Sequence, residues 1–283
     1  MDAIRVVGVI GAGTMGIGIA HVFARSGYDV LLCEAEQRFL DRGLETLRNN
    51  LKREASKGKI RTDEGNAAFA RVTGVLDLER LAECDFVVEA ATEKFEVKKA
   101  IFADLDRITR KEVILASNTS SIAITKLASV TGRPDRVIGM HFFNPVPTMK
   151  LVEVVRSKAT SQETFDQVHD LALKLGKTPV EVNDAPGFVS NRVLMPMLNE
   201  AMYAVMEGVA TPEAVDEIFK LGMAHPMGPL TLADFIGLDV CLDILRVLQE
   251  GLGAPKYQPC PLLVQMVNAG QLGRKSGRGF YQY

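Results

Sequence analysis

Short apolar runs alternate with helix-compatible segments through most of the chain. Four of these runs, at residues 4–10, 29–33, 85–90 and 112–117, have the near-continuous apolar character of strands buried on both faces. The longest helical pattern between them covers residues 37–56. Strands that alternate with helices predict an α/β fold built on an open, mostly parallel sheet.

Two later apolar runs are predicted to form a hairpin. Residues 137–142 and 151–156 have strand character, and the segment between them contains Asn144 and two prolines, which break the pattern. If the strands pair antiparallel about a turn near Pro147, residues whose numbers sum to 294 face each other. The final strands of the sheet would therefore include an antiparallel pair.

This register would place His141 opposite Glu153, within cross-strand reach. A carboxylate behind one ring nitrogen fixes the tautomer of a histidine and stabilises its protonated form, as a catalytic base requires. Taken alone, the stretch is also compatible with a strand-end histidine that is bound to a nearby carbonyl group.

The composition changes at residues 183–187, Asn-Asp-Ala-Pro-Gly, which follow a short strand at 178–182. Beyond this point the pattern is helical. We therefore predict a Rossmann-like domain at residues 1–184 and a smaller all-α domain at 185–283. The segment 193–209 is apolar nearly all round, which predicts burial against another domain or subunit.

Composition excludes few functions but limits the expected binding partners and the expected cellular compartment. The formal net charge of the 283 residues is −2, which gives no electrostatic case for nucleic acid or an anionic membrane as partner. We expect no membrane span, because no apolar run approaches about 20 residues. The chain enters a strand at once, so we also expect no signal peptide. The four cysteines are scattered without metal-ligand spacing, which indicates reduced thiols, a cytoplasmic protein and no metal site.

The glycine-rich segment Gly11-Ala-Gly-Thr-Met-Gly16 lies between the first strand and a helix. Its first glycine permits a tight turn, Gly13 lets the backbone approach a pyrophosphate, and Gly16 allows close helix packing. The helix N-terminus would then offer amide donors to the phosphates. The second strand ends at Glu34, 23 residues after Gly11, where a carboxylate accepts hydrogen bonds from the ribose hydroxyls. Because Glu34 repels a 2′-phosphate, we predict NAD and not NADP.

Two further segments carry candidate chemistry. The end of the 37–56 helix and the turn after it are rich in cations, including Lys57, which indicates either a solvated helix end or a dock for a phosphate-bearing substrate. The strand at 112–117 runs into Asn118-Thr-Ser-Ser121, at the sheet edge where ligands bind in parallel sheets. Alternatively, Ser120 or Ser121 caps a helix that begins near Ile122.

Several motifs together resemble the 3-hydroxyacyl-CoA dehydrogenase family. They are spread over the whole chain, and the compact length is most similar to the stand-alone bacterial members that act on 3-hydroxybutyryl-CoA. The motifs are Val9-Ile-Gly-Ala-Gly-Thr-Met-Gly16, Ser117-Asn-Thr-Ser-Ser121, His141-Phe-Phe-Asn-Pro145, Lys150-Leu-Val-Glu153 and Asp184-Ala-Pro-Gly-Phe-Val-Ser-Asn-Arg192.

The resemblance implies an NAD-dependent interconversion of (S)-3-hydroxyacyl-CoA and 3-oxoacyl-CoA, in a homodimer formed through the C-terminal domain. His141 would be the base and Glu153 its orienting partner, with Ser120 and Asn191 at the reacting oxygen and the thioester. Lys57 would hold the coenzyme A nucleotide, with Asn50, where the family has a serine, as a weaker match. The implied cofactor contacts are Gly11, Gly13, Thr14, Met15, Gly16, Glu34, Glu93, Lys98, Ser120 and Asn144.

Other classes remain open at this point. The short-chain dehydrogenases use Tyr-x-x-x-Lys, and none of the five tyrosines has a lysine four residues later. The 6-phosphogluconate-like enzymes use a helix lysine that no motif here supports. A dehydrogenase of another 3-hydroxy acid, or a non-enzymatic, cofactor-binding member of the same family, is the alternative to the predicted enzyme.

Overall fold

A computed structural model describes residues 4–283 as an eight-stranded sheet with helices, followed by a helical region. The strands are β1 (Val6–Ile10), β2 (Asp29–Cys33), β3 (Val72–Val75), β4 (Phe86–Glu89), β5 (Ile114–Ser117), β6 (Val137–Phe142), β7 (Leu151–Arg156) and β8 (Thr178–Asn183). The α-helices between them are α1 (Thr14–Arg25), α2 (Gln37–Ser56), α3 (Thr62–Ala70), α4 (Phe95–Ile108), α5 (Ile124–Ala128) and α6 (Gln162–Lys174).

The strands lie in the order β3-β2-β1-β4-β5-β6-β7-β8. The first six are parallel, β7 is antiparallel to β6, and β8 is parallel to β7. The mostly parallel sheet with final antiparallel strands is therefore confirmed. Two elements, α3 and the edge strand β3, were not predicted from the sequence.

The glycine-rich turn brings α1 close to the sheet. Gly11 has a φ of 99°, a conformation that favours glycine. A Cβ atom at Gly16 would collide with the Gly11 carbonyl group, and one at Gly18 would lie 2.7 Å from Cβ of Val146. Small residues on this helix thus allow the backbone of the turn and the loop after β6 to pack against it.

Contacts between Cα atoms divide the chain into two compact units, Met1–Asp184 and Ala185–Tyr283. The second unit contains α7 (Ser190–Met206), α8 (Pro212–Gly222), α9 (Pro229–Ile236), α10 (Leu238–Leu252) and α11 (Pro261–Asn268). It has its own hydrophobic core, in which Met195 and Met202 of α7 are almost fully buried. Within residues 4–283, none of the helices has both the length and the apolar character needed to cross a membrane.

Candidate active site

The β6–β7 hairpin brings His141 and Glu153 together. They are cross-strand partners in the register that the sequence predicted, with Gly139 opposite Val155. Nδ1 of His141 lies 2.8 Å from Oε2 of Glu153, and the two residues are only 7% and 3% exposed. A short contact in such surroundings holds the ring in one orientation and stabilises its protonated form. The predicted pairing is confirmed.

Contacts that the sequence analysis missed hold this hairpin in place. The Oδ1 atom of Asn118 accepts a hydrogen bond of 2.9 Å from the amide of Phe142, next to His141. At the other end, the buried Lys177 ammonium donates to the carbonyl groups of Val146 and Met149, in the loop between the strands. Burial, together with the nearby Arg25, lowers the pKa of Lys177. Because these partners are far apart in sequence, no local pattern indicated them.

Five of the ten predicted cofactor residues line one cavity of about 700 Å³ at the carboxyl ends of β1, β2 and β4, whereas Gly16, Glu93, Lys98, Ser120 and Asn144 are not in its lining. Its walls include Gly11, Gly13, Thr14, Met15 and Glu34, together with apolar side chains such as Leu76, Leu78, Val97 and Ile101. A Cβ atom at Gly13 would meet no other atom within 4 Å, so the space beside this backbone is open to a pyrophosphate. The residues present therefore fit a dinucleotide.

Glu34 makes two backbone contacts within this cavity. Its Oε2 accepts a hydrogen bond of 2.8 Å from the amide of Ala12, and its Oε1 accepts another of 2.8 Å from Ala35. The carboxylate is therefore fixed against the glycine-rich turn. Each oxygen retains a second lone pair for a ribose hydroxyl, whereas the fixed negative charge repels a phosphate at the same position.

Glu93 accepts several hydrogen bonds from the polar segment that follows β5. Its Oε1 lies 2.6 Å from Oγ1 of Thr119, 2.9 Å from the amide of Ser120 and 3.1 Å from the amide of Ser121. Burial alone would raise the pKa of Glu93, but the Lys98 ammonium and these hydrogen bonds outweigh it and lower the pKa. The structure thus brings Glu93, Lys98 and Ser120 together.

The alternative reading of Ser120 and Ser121 as helix caps is wrong. The helix α5 begins at Ile124 and its N-cap residue is Ala123, whose side chain makes no capping hydrogen bond. The carboxylate of Asp184 instead accepts hydrogen bonds from the amides of Ile124 and Thr125, at 3.0 and 2.7 Å. Ser120 is therefore not required for the start of this helix.

A second cavity, of about 630 Å³, shares Gly13, Thr14 and Glu34 with the first. It extends past Asn144 to Asn50 on α2, so the structure brings these two predicted residues onto one surface. Arg42 and Arg53 also line it, and the guanidinium of Arg53 donates to the Asn50 side chain. Arg53 belongs to the cation-rich helix end identified in the sequence, whereas Arg42 was not predicted as a site residue.

Lys57 is not among the residues that line this cavity. It is the C-cap residue of α2 and is exposed. The other cations of this helix end are partly engaged, since Arg61 pairs with Asp63 and Arg48 lies 4.5 Å from the centroid of the Phe69 ring. The Asp63 carboxylate therefore offsets one cation of this cluster, whereas the Phe69 ring leaves the charge of Arg48 in place.

Asn191 belongs to the second unit. It lies in the first turn of α7 and is 8% exposed. The backbone amide of Asn191 donates a hydrogen bond of 3.1 Å to the carbonyl group of Gly187. Gly187 has a φ of 73° and lies in the turn before the helix. The backbone of Asn191 is thus held at the start of the helical unit, where its side chain is a buried polar group.

A glycine-rich turn, a carboxylate at the end of β2 and a buried His–Glu pair define a dinucleotide-dependent oxidoreductase class. The family model of the 3-hydroxyacyl-CoA dehydrogenase NAD binding domain matches residues 6–185. The family model of the 3-hydroxyacyl-CoA dehydrogenase C-terminal domain matches residues 187–283. The chain belongs to the 3-hydroxyacyl-CoA dehydrogenase family. Its NAD binding domain confirms the predicted cofactor.

Relatives match along nearly the full length. A probable 3-hydroxybutyryl-CoA dehydrogenase from Deinococcus radiodurans is 59% identical over 98% of this chain and 99% of its own. A 3-hydroxybutyryl-CoA dehydrogenase from Bradyrhizobium diazoefficiens is 52% identical over 99% of this chain and 96% of its own. The crystal structure of (S)-3-hydroxybutyryl-CoA dehydrogenase from Ralstonia eutropha matches with a TM-score of 0.96 and 49% identity, over 99% of each chain.

Proposed function

We propose that this protein interconverts (S)-3-hydroxyacyl-CoA and 3-oxoacyl-CoA with NAD(H), and that its substrates are the short-chain pair 3-hydroxybutyryl-CoA and acetoacetyl-CoA. The observation that carries the proposal is the buried contact of 2.8 Å between His141 and Glu153. The names of the full-length relatives support the choice of substrate. Fatty-acid or butanoate metabolism is the proposed setting, in the cytoplasm, where four buried free thiols are stable.

In the proposed mechanism His141 moves the proton. A secondary alcohol cannot lose hydride from its carbon unless its hydroxyl proton also leaves, so a base must lie within hydrogen-bond reach. Because Nδ1 faces Glu153, Nε2 is the ring nitrogen assigned to exchange this proton with the substrate oxygen. NAD, when bound, accepts or supplies the hydride. Glu153 stabilises the imidazolium that forms during oxidation and that donates the proton during reduction.

Several other polar residues have proposed roles in binding. Ser120 is proposed to polarise the substrate oxygen and Asn191 to contact the thioester end of the substrate. Glu93, Lys98 and Asn144 are proposed to contact the cofactor. The cavity lined by Asn50 supports a position for the coenzyme A nucleotide along α2, with the exposed Lys57 offering a charge to its phosphates.

We also propose a homodimer through the helical unit. Several large apolar side chains of this unit are exposed, namely Val193 at 67%, Val209 at 74% and Leu221 at 78%. The methionines in the middle of α7 do not contribute, because Met195 and Met202 lie in the core of their own unit. The proposed contact with a second subunit would cover these side chains, as a contiguous apolar surface requires.

The proposed reaction is tested by following NADH oxidation with acetoacetyl-CoA and with longer 3-oxoacyl-CoAs. We expect the highest kcat/KM for acetoacetyl-CoA, and loss of turnover in His141→Ala. Higher kcat/KM for a longer substrate would replace the proposed substrate with that one. No turnover with any of these thioesters would favour the non-enzymatic alternative, a cofactor-binding member of the family.

A further inference from the structure

Glu89 is a carboxylate inside the buried strand that the sequence predicts at residues 85–90. It is the last residue of β4, and its exposure is 0%. Three donors surround it: Nζ of Lys98 at 2.7 Å, Oγ of Ser117 at 2.6 Å and the amide of Ala91 at 2.7 Å. Lys98 is itself 1% exposed. Burying both charges is costly, and a buried ion pair is weak evidence for added stability, so this pair calls for another role.

Two routes lead from Glu89 to the segment that contains Ser120. In the first, Nζ of Lys98 also lies 3.3 Å from Oε2 of Glu93. The other oxygen of Glu93, Oε1, accepts hydrogen bonds from residues 119–121. In the second, the Ser117 hydroxyl donates to Glu89 and accepts a hydrogen bond of 3.2 Å from the amide of Thr119. The two routes close a ring, which we call the strand-end network: Glu89, Lys98, Glu93, Thr119 and Ser117.

The balance of charge in the strand-end network explains why Glu89 matters. Two carboxylates share one ammonium, and Glu89 makes the shorter contact with it. Lys98 is therefore held close to Glu89, and Glu93 remains free to turn its Oε1 towards residues 119–121. Without the charge of Glu89, the only carboxylate beside Lys98 in this network is Glu93, which the ammonium would draw away from these residues.

We propose that Glu89 is a positioning residue for Ser120, acting through Lys98 and Glu93 on one side and through Ser117 on the other. The inference rests on the proposed function, in which Ser120 contacts the substrate oxygen. Positioning of this kind affects turnover strongly, because a displacement of about 1 Å at a reacting group costs up to about 10²-fold in rate.

The test is a double-mutant cycle between Glu89→Gln and Ser120→Ala, measured as reduction of acetoacetyl-CoA by NADH. We expect Glu89→Gln alone to lower kcat about 10- to 100-fold, measured at saturating NADH because Lys98 and Glu93 are proposed cofactor contacts. In the Ser120→Ala background the same substitution should cost less than about threefold, because residues that act as one unit are not additive. An equal loss in both backgrounds would overturn the inference and assign Glu89 a general structural role.

Ser117→Ala is the second variant, for the case in which Glu89→Gln does not fold. It removes one route while leaving every charge in place, and it should lower kcat by a few-fold, again only when Ser120 is present. The matched control is Thr109→Val, which removes a buried hydroxyl at the end of α4 that donates to the carbonyl group of Leu105. It should lower Tm without lowering kcat, and a Ser117→Ala variant that behaves in the same way would contradict the inference.

Hydrogen exchange separates this inference from the proposed function, because it requires no turnover. The amides of Ser120 and Ser121 donate to Glu93, so a peptide covering residues 118–124 should exchange faster in Glu89→Gln than in the wild type. If the wild type did not reduce acetoacetyl-CoA, the proposed function would fail while this result could still hold. Unchanged exchange in a folded Glu89→Gln variant would sink the positioning role, whatever the activity.

Discussion

Replacing Glu153 by glutamine should move the pH dependence of the reaction in a defined direction. The substitution keeps the shape of the side chain that lies 2.8 Å from Nδ1 of His141 but removes its charge. A hydrogen bond between charged partners is worth about 1.5–3 kcal/mol, and a neutral one about half as much or less. Since about 1.4 kcal/mol corresponds to a tenfold change in rate, we expect reduction at neutral pH to slow about tenfold.

The direction in which the pH–rate profile moves follows from the form of His141 that reacts. The carboxylate favours the protonated ring, so its loss makes that form harder to reach. Reduction needs protonated His141, and its descending limb should therefore move to lower pH. Oxidation needs the neutral ring, and its rising limb should move to lower pH as well. At pH 7 reduction should slow more than oxidation.

The assay is a pH–rate profile of kcat in both directions with acetoacetyl-CoA and 3-hydroxybutyryl-CoA. Glu181→Gln is the matched control: Glu181 lies on β8 and is exposed, with Arg156 at 2.9 Å, and neither limb should move. His141→Ala should cost about 10²–10⁴-fold in turnover, and adding Glu153→Gln to it should change little. If Glu153→Gln left both limbs in place, the pair would be a structural contact and His141 would not be the base.

Four further outcomes are expected. Glu34→Gln should erode the preference for NADH over NADPH in kcat/KM, and equal values for the two cofactors in the wild type would contradict the role of this carboxylate. Lys57→Ala should raise KM for acetoacetyl-CoA, more at low salt, with little effect on NADH, because exposed charges are screened by salt. Leu221→Asp should shift the mass seen by light scattering towards the monomer, and a wild type that is already monomeric and active at micromolar concentration would refute the dimer. Arg133→Met should lower the free energy of unfolding in urea by about 1–3 kcal/mol, because it removes the buried guanidinium that donates to the partly exposed Asp106 carboxylate.

The last of these effects depends on pH. Burial acts to raise the pKa of Asp106, but the Gly132 amide and the Arg133 guanidinium outweigh it and lower the pKa. A lowered folded-state pKa gives stability that is present above the unfolded value, near 4, and is lost as the pH falls through the folded value. The difference between wild type and Arg133→Met should therefore narrow on acidification, and a difference that is constant from neutral to acid pH would exclude this ion pair as its source.

Much of the fold and the central pair could be predicted because the relevant signals are local. Strands that are buried on both faces leave continuous apolar runs, and a hairpin about Pro147 fixes which residues face each other. The edge strand β3 was missed because Val72-Thr-Gly-Val75 is short and only partly buried, and has no clear pattern. The role of Glu89 was missed for a different reason: its partners Lys98 and Ser117 lie 9 and 28 residues away, and only the folded sheet brings them together.

The strand order also determines when the sheet is completed during synthesis. Val7 of β1, the third strand in the order, pairs with Val30 on one side and with Phe86 on the other, so its second partner is made 56 residues after the first. At about 5–20 residues per second, β1 waits roughly 3–11 s with an apolar edge unpaired. Most of that interval is spent making α2 and α3. An unpaired edge is a template for association with other chains, so the segment that carries Asn50 and Lys57 lengthens the time for which β1 is open to such association.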